Sequence, residues 1–253
     1  TAINKHPEMI LRKKDFVSIK INWNDKASNI KEILDELNLN QEDAIFLDDS
    51  KSERARVKSV FTKMLIPELP ENNIYYPKIL RDINCFDLEL TNEDKKRTSM
   101  YKENNLREKS KKKYIKNNSY LNWLTTLNLE LVIKKLNKID LNRTIQLINK
   151  TNQMNLSTKR YTVKEMNSLW MEKNNCIFTF RVKDKFGDYG LTGIMILSKK
   201  NSQLVINDFI LSCRVFGKNI EHSMLEFANF QCIKNNIKEF SCKYIKTKKN
   251  KPC

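Results

Sequence analysis

The first part of the chain alternates between the hydrophobic spacing of a helix and short apolar runs. Apolar residues recur at helical spacing over Lys26–Leu37, which predicts a helix with one buried face. Apolar runs at 44–47 and 64–66 are too short for helices and favour buried parallel strands, and a second helical pattern at 52–61 lies between them. This succession predicts a parallel sheet covered by helices, the doubly wound α/β class.

A polar, lysine-rich stretch follows. It covers 92–113 and contains neither proline nor glycine, so we predict a solvated connecting helix at 91–113. Glu103 and Arg107 within it have the spacing of a favourable helical ion pair. The expected organisation is a first domain at 1–90, this helix, and a second domain at 114–253.

The second domain combines helical patterns with longer strand patterns. We predict helices at 140–152, Val163–Met171 and 217–233, and strands at 177–182, 191–197 and 204–215. The segment 184–190 is expected to form the hairpin between the first two strands. The pattern therefore predicts a second α/β domain whose last strand leads through a glycine turn into a helix.

Composition narrows the classes of partner and compartment. The chain has 47 Lys and Arg against 30 Asp and Glu, a formal charge of +17. These basic residues are scattered rather than set in one stripe with aromatic residues, so nucleic-acid binding is the minor alternative, and an acidic protein partner suits the charge. Six cysteines without a CxxC pair or zinc-site spacing predict a reduced, cytoplasmic protein. No membrane span or signal segment is predicted.

Two adjacent carboxylates, Asp48 and Asp49, follow the apolar run at 44–47. Open α/β sheets bind ligands outside the carboxyl ends of their strands, and paired carboxylates there could hold Mg²⁺. An ordinary turn, or a helix N-cap formed by Asp49 or Ser50, explains the same residues without a metal. The residues alone leave both interpretations open.

The four glycines of the chain all lie between Gly187 and Gly217, a stretch that also holds the end of the predicted strand at 204–215. Such a concentration marks backbone that turns tightly or approaches another group closely. A strand end, a glycine turn and a helix N-terminus favour an anionic ligand. Cys213 could be a nucleophile there, with Arg214 and the helix N-terminus stabilising its thiolate. A buried core cysteine on an apolar strand face fits the same pattern.

The segment 150–161 is rich in carboxamides and hydroxyls, and it contains Asn152 and Gln153. It could fix a polar ligand by hydrogen bonds, or it could form the turns after a helix. Candidates for binding a substrate phosphate are Arg143, Lys159 and Arg160. Cationic side chains pair with phosphate oxygens, and the guanidinium group of arginine matches their geometry best.

These segments together resemble FkbH-like proteins, in which a phosphatase of the haloacid dehalogenase superfamily is joined to a GNAT-like acyltransferase. In the first part the resemblance lies in 6–11, in 20–29 and in Phe46-Leu47-Asp48-Asp49-Ser50. In the second it lies in 143–147, 150–153 and 186–191 and in Ser212-Cys213-Arg214-Val215-Phe216-Gly217. Linked motifs in order are more specific than any one motif, and they cover nearly the whole chain.

For the first domain, the resemblance implies a partial Rossmann-like phosphatase domain. Lys26 matches the lysine that neutralises the phosphoryl group, and Asp48 and Asp49 match the acids that bind Mg²⁺. The aspartate nucleophile of such phosphatases is expected before Thr1, because its motif does not occur in this sequence. We therefore expect upstream sequence, and we expect this fragment to be inactive as a phosphatase.

For the second domain, the resemblance implies transfer of a three-carbon unit from 1,3-bisphosphoglycerate through Cys213 to an acyl carrier protein, in polyketide-type biosynthesis. Arg214, Gly217 and Lys218 match a pyrophosphate-binding loop. Asn219 departs from that loop pattern, which favours carrier-bound phosphopantetheine over free coenzyme A. The motifs also give the candidate substrate-binding residues, which are Arg143, Gln146, Asn152, Gln153 and Arg160.

Two other functions stay open. The chain could be a non-catalytic module that binds a carrier protein or nucleic acid, or it could transfer another acyl group in glycan or lipid biosynthesis. His222 could act as a base or simply lie on the surface. Asp208 is expected on the strand face opposite Cys213, so no catalytic triad is predicted.

Overall fold

The computed structural model describes residues 2–37, 39–83, 93–116, 119–200, 203–247 and 250. The chain divides into two compact units, Thr1–Asn105 (unit 1) and Leu106–Cys253 (unit 2). The division falls inside helix α5 (Arg97–Ile115), in the segment where a connecting helix was predicted. The predicted boundary at residue 90 lies outside the described residues. Both units combine helices with β-pairing, and the predicted α/β class is confirmed.

Unit 1 is mostly helical in its described residues. Its helices before α5 are α1 (Ala2–Lys5), α2 (Lys26–Leu37), α3 (Lys51–Val60) and α4 (Tyr76–Asp82). The two predicted strands reduce to one parallel bridge, in which Ile45 pairs with Leu65. Their parallel direction is the predicted one. A core of Ala27, Leu34, Val57, Met64 and Ile66 joins α2 and α3 to these segments.

Unit 2 is built on one mixed sheet. Its strands are β1 (Glu130–Lys135), β2 (Met154–Asn155), β3 (Asn175–Asp184), β4 (Gly187–Lys200), β5 (Gln203–Leu211) and β6 (Phe240–Cys242). The order is β1-β3-β4-β5-β2 with antiparallel neighbours, and β6 pairs with β5 in parallel. β4 is buried from Tyr189 to Ser198, which explains its continuous apolar run.

Helices cover both faces of this sheet. After α6 (Tyr120–Thr125), helices α7 (Leu141–Lys150) and α8 (Val163–Met171) pack on one face, and α9 (Ile220–Lys234) packs on the other. A Cβ atom at Gly193 would lie 3.0 Å from the Met224 sulfur of α9 and 3.1 Å from the Cβ of Phe180. Gly193 therefore permits the close approach of α9 to β4.

The predicted strand at 204–215 is too long. β5 ends at Leu211, because the Ser212 hydroxyl accepts a hydrogen bond from the Arg214 amide and the chain enters a 3-10 turn at Cys213–Val215. The predicted helix at 217–233 begins later, at Ile220, after Asn219 adopts a left-handed conformation with φ of 60°. The residues between β5 and α9 therefore form a separate loop. Throughout the described part of the chain, helices fall short of the length and apolarity that crossing a membrane requires.

Candidate functional sites

Lys26 and Asp48, predicted from different segments of unit 1, lie in contact. The Lys26 ammonium is 2.5 Å from the Asp48 carboxylate. Burial disfavours the ionised form of Asp48, but the hydrogen bonds from Lys26 and from the Ser50 amide outweigh it, and the pKa of Asp48 lies below its usual value. The hydrogen bond to Asp48 in turn raises the pKa of Lys26. Both side chains are therefore charged at neutral pH.

Arg54 fixes the backbone that carries the two acids. Its side chain is buried and donates hydrogen bonds to the carbonyls of Asp48 and Asp49, at 2.8 and 2.9 Å, and to the Glu68 carboxylate at 3.0 Å. The Ser50 hydroxyl caps α3, so the N-cap interpretation of this segment is confirmed. The cap leaves the exposed Asp49 carboxylate available to a ligand.

Asp48 and Asp49 are the residues of unit 1 that would hold a Mg²⁺ ion, and both oxygens of Asp48 also accept hydrogen bonds, from Lys26 and from the Ser50 amide. The described residues contain no group of three or more His, Cys, Asp or Glu side chains arranged for a metal. Mg²⁺ often takes one or two carboxylates and fills its other positions with water and phosphate. Unit 1 would supply carboxylate oxygens and the Lys26 cation to such a site.

Cys213 is exposed and has a free thiol. It begins the 3-10 turn after β5, so its side chain leaves the apolar face on which Leu211 is buried. The core-cysteine interpretation is therefore wrong, because the strand ends at Leu211, four residues earlier than predicted. An exposed thiol on a turn before a helix is accessible to an electrophile.

Arg214 fastens this turn to the central strand. Its guanidinium donates hydrogen bonds to the carbonyls of Tyr189 and Leu191 in β4, at 2.7 and 3.2 Å, and to the Ser212 hydroxyl at 3.1 Å. Arg214 thus has a structural role that sequence patterns did not indicate.

Gly217 and Lys218 close the loop before α9. Gly217 has φ of +70°, a conformation that favours glycine, and its carbonyl accepts a hydrogen bond from the Tyr120 hydroxyl at 2.9 Å. Burial lowers the pKa of the Lys218 ammonium. Its nitrogen donates to the Arg214 carbonyl at 3.4 Å. The structure therefore brings the three residues predicted to bind the cofactor into one loop.

Arg160 binds the end of helix α7. Its guanidinium donates hydrogen bonds to the carbonyls of Ile148 and Thr151, at 3.1 and 3.0 Å, and to the Asn152 side chain at 2.6 Å. The last carbonyls of a helix lack partners within the helix, so a cation there is stabilising. Arg160 and Asn152 therefore lie together, and their binding of a substrate stays a prediction.

The other predicted substrate-binding residues lie on helix α7 and in the loop that follows it. Arg143 donates a hydrogen bond to Gln146 one turn further along α7. Gln153 is exposed in the loop between α7 and β2. His222 lies on the surface with its side chain 73% exposed, next to Glu221.

A buried carboxylate network was missed by the sequence analysis. Asp208 in β5 is 1% exposed and accepts hydrogen bonds from the Ser157 hydroxyl and, at 2.6 Å, from the Tyr161 hydroxyl. Burial raises the pKa of Asp208, and the Lys159 ammonium lies 4.0 Å away. The network ties the polar segment 150–161 to the sheet. The sequence signal that could have indicated this network is a single carboxylate inside an apolar strand.

Comparison with known proteins gives partial likenesses. No family model matches the chain, and no curated protein matches it significantly. The N-terminal part of a Bacteroides fragilis protein containing a phosphatase domain, solved in complex with Mg, is 36% identical over 33% of this chain, with a TM-score of 0.32. This chain covers 22% of that chain.

Acetyltransferase structures are also among the matches. The ribosomal-protein-S18-alanine N-acetyltransferase of Escherichia coli is 10% identical, with 43% of this chain and 63% of that chain covered and a TM-score of 0.34. The ribosomal-protein-alanine N-acetyltransferase of Brucella melitensis is 13% identical, with 47% and 83% covered and a TM-score of 0.38. The structures that this chain resembles in part thus include a phosphatase domain and acetyltransferases.

Proposed function

We propose that unit 2 is an acyltransferase that carries its acyl group as a thioester on Cys213. The observation that carries this proposal is the exposure of the thiol on a turn between a buried strand and a helix N-terminus. The thiolate is the nucleophilic form of a cysteine, and Arg214, the next residue, fixes the turn that presents the thiol. The FkbH-like motifs around Cys213 agree with this role.

The proposed donor is an acyl phosphate, and 1,3-bisphosphoglycerate is the candidate that the motifs favour. The Cys213 thiolate attacks the acyl carbon, the sulfur–carbon bond forms, and the carbon–oxygen bond to the phosphoryl group breaks. Inorganic phosphate leaves with the electron pair. The product is a phosphoglyceryl thioester, which remains activated for a second transfer.

The proposed acceptor is the phosphopantetheine thiol of an acyl carrier protein. That thiol attacks the thioester and takes the acyl group. Its proton passes to the sulfur of Cys213, which is released as a free thiol. Carrier proteins of this kind are acidic partners, and the formal charge of +17 would raise the rate of encounter with them. A free thiol nucleophile suits a reducing compartment, so we place the reaction in the cytoplasm.

Unit 1 is proposed to bind Mg²⁺ and the remaining phosphate of the three-carbon unit. Bound Mg²⁺ would neutralise phosphoryl charge. Asp48 and Asp49 would hold the metal, Lys26 would contact a phosphoryl oxygen, and Arg54 would keep the acids in place. The nucleophile needed to remove the phosphate is not among these residues.

The test is intact-mass spectrometry after incubation with 1,3-bisphosphoglycerate. We expect one phosphoglyceryl adduct on the wild type, none on Cys213→Ser, and an undiminished adduct on Cys176→Ser. Cys176 is a matched control, because it is also an exposed free cysteine of unit 2. An adduct that survives in Cys213→Ser would contradict the proposal.

The alternative functions are distinguished by combining the adduct measurement with binding measurements. Carrier binding without an adduct would indicate a non-catalytic module. Salt-dependent DNA binding without an adduct would indicate a nucleic-acid module. An adduct formed only from another acyl phosphate would keep Cys213 as the nucleophile and replace the three-carbon substrate.

A further inference from the structure

A buried ion pair joins helix α5 to the hairpin between β3 and β4. Arg107, in the part of α5 that belongs to unit 2, is 2% exposed and donates to both carboxylate oxygens of Asp184, at 2.7 and 2.9 Å. The same carboxylate accepts hydrogen bonds from the Tyr189 hydroxyl at 2.9 Å and from the amides of Phe186 and Gly187. Arg107 is thus bound to the carboxylate that organises the hairpin.

A series of contacts leads from this ion pair to the Cys213 turn. The guanidinium carbon of Arg107 lies 3.9 Å from the centre of the Tyr189 ring. The Tyr189 carbonyl accepts the hydrogen bond from Arg214, which directly follows Cys213. The Lys218 ammonium lies 5.5 Å from the centre of the same ring. Tyr189 therefore contacts Arg107 and two residues of the loop that carries the thiol.

We propose that Arg107 is a positioning residue of the Cys213 site, acting through Tyr189 and Arg214; its importance for catalysis rests on the proposed function of Cys213. A planar guanidinium that makes two hydrogen bonds and stacks on a ring has one favourable orientation. It fixes Tyr189, and Tyr189 supplies the acceptor that holds Arg214. Helix α5 thereby contributes to the transfer site rather than only connecting domains.

The test compares Arg107→Lys with the wild type in the full chain. Lysine keeps the charge but loses the paired hydrogen bonds and the planar stack. We expect amide hydrogen exchange in 212–219 to accelerate at least about fivefold, while exchange in the core of β4 stays unchanged. The rate of acyl-adduct formation should fall by a similar factor at saturating donor.

Arg181→Lys is the matched control, because Arg181 pairs with Asp140 at 2.5 Å elsewhere in unit 2. We expect this variant to leave exchange in 212–219 unchanged. Unchanged exchange there in folded Arg107→Lys overturns the proposal. Equal acceleration throughout β4 and β5 also overturns it, since that result marks a general loss of stability.

A second variant covers the case in which Arg107→Lys does not fold. Tyr189→Leu removes the ring on which Arg107 stacks and keeps the backbone carbonyl that accepts the hydrogen bond from Arg214. Faster exchange confined to 212–219 supports the proposal, and unchanged exchange overturns it. If the wild type forms no acyl adduct, the function proposed for Cys213 fails, and the exchange measurement still decides whether Arg107 positions the turn.

Discussion

Removing the charge of Asp184 should destabilise unit 2 strongly. The side chains of Arg107 and Asp184 are 3% and 0% exposed, so Asp184→Asn removes the negative charge that accepts two hydrogen bonds from a buried guanidinium. Breaking such a pair from one side costs about 3–5 kcal/mol. With a urea m value of roughly 2 kcal/mol per molar, the unfolding midpoint of unit 2 should fall by about 2 M.

Urea unfolding followed by tryptophan fluorescence measures this shift, because Trp123 is 1% exposed in unit 2 and becomes exposed when that unit unfolds. The control is Glu130→Gln, which breaks the exposed pair of Glu130 with Lys183, the neighbour of Asp184 on β3. That exposed pair is worth at most about 1 kcal/mol. If Asp184→Asn lowers the unfolding midpoint no more than Glu130→Gln does, the claim that the two buried charges depend on each other is refuted.

The effect of Asp184→Asn should also depend on pH. Burial alone would raise the pKa of Asp184, but the hydrogen bonds and charge of Arg107 outweigh it and lower the pKa. Its contribution to stability is therefore present above the unfolded value of about 3.9 and is lost as the pH falls through the lower folded value. The difference in the free energy of unfolding between the wild type and Asp184→Asn should therefore become smaller in acid. A difference in the free energy of unfolding that stays constant down to strongly acidic pH would contradict the lowered pKa of Asp184.

Three further predictions concern other sites. Because burial raises the pKa of Asp208, its contribution to stability is present below the unfolded pKa of about 3.9 and is lost as the pH rises, so the melting temperature of Asp208→Asn relative to the wild type should increase as the pH rises above about 4. Lys26→Met should raise the pKa of Asp48 in a carbon-13 carboxylate titration; an unchanged value would exclude their pairing in solution. Arg160→Ala should cost about 1–2 kcal/mol in urea unfolding by uncapping α7, and no loss would contradict that role.

Local signals predicted some of the helices well, although α4 and α6 were not predicted. Helices α2 and α8 have the predicted bounds, because their apolar spacing is regular and a capping box formed by Thr162 and Glu165 starts α8. The long apolar run of β4 also predicted a strand. β1 was missed because Glu130 and the lysines at its end conceal an apolar centre of only three residues.

Long-range contacts could not be predicted from the sequence. The structure pairs Arg107 with Asp184, which lies 77 residues along the chain and which helical spacing could not indicate as a partner. The exposure of Cys213 depends on where β5 ends, and that end is set by a serine hydroxyl and a turn rather than by apolar spacing. Burial and charge partners therefore had to come from the structure.

Peptide mapping of the protein after reaction with 1,3-bisphosphoglycerate tests the central claim most directly. We predict that the phosphoglyceryl group lies on the peptide containing Cys213 and that neutral hydroxylamine releases it, as expected for a thioester. A modification at any other residue, or one on Cys213 that resists hydroxylamine, would contradict the account.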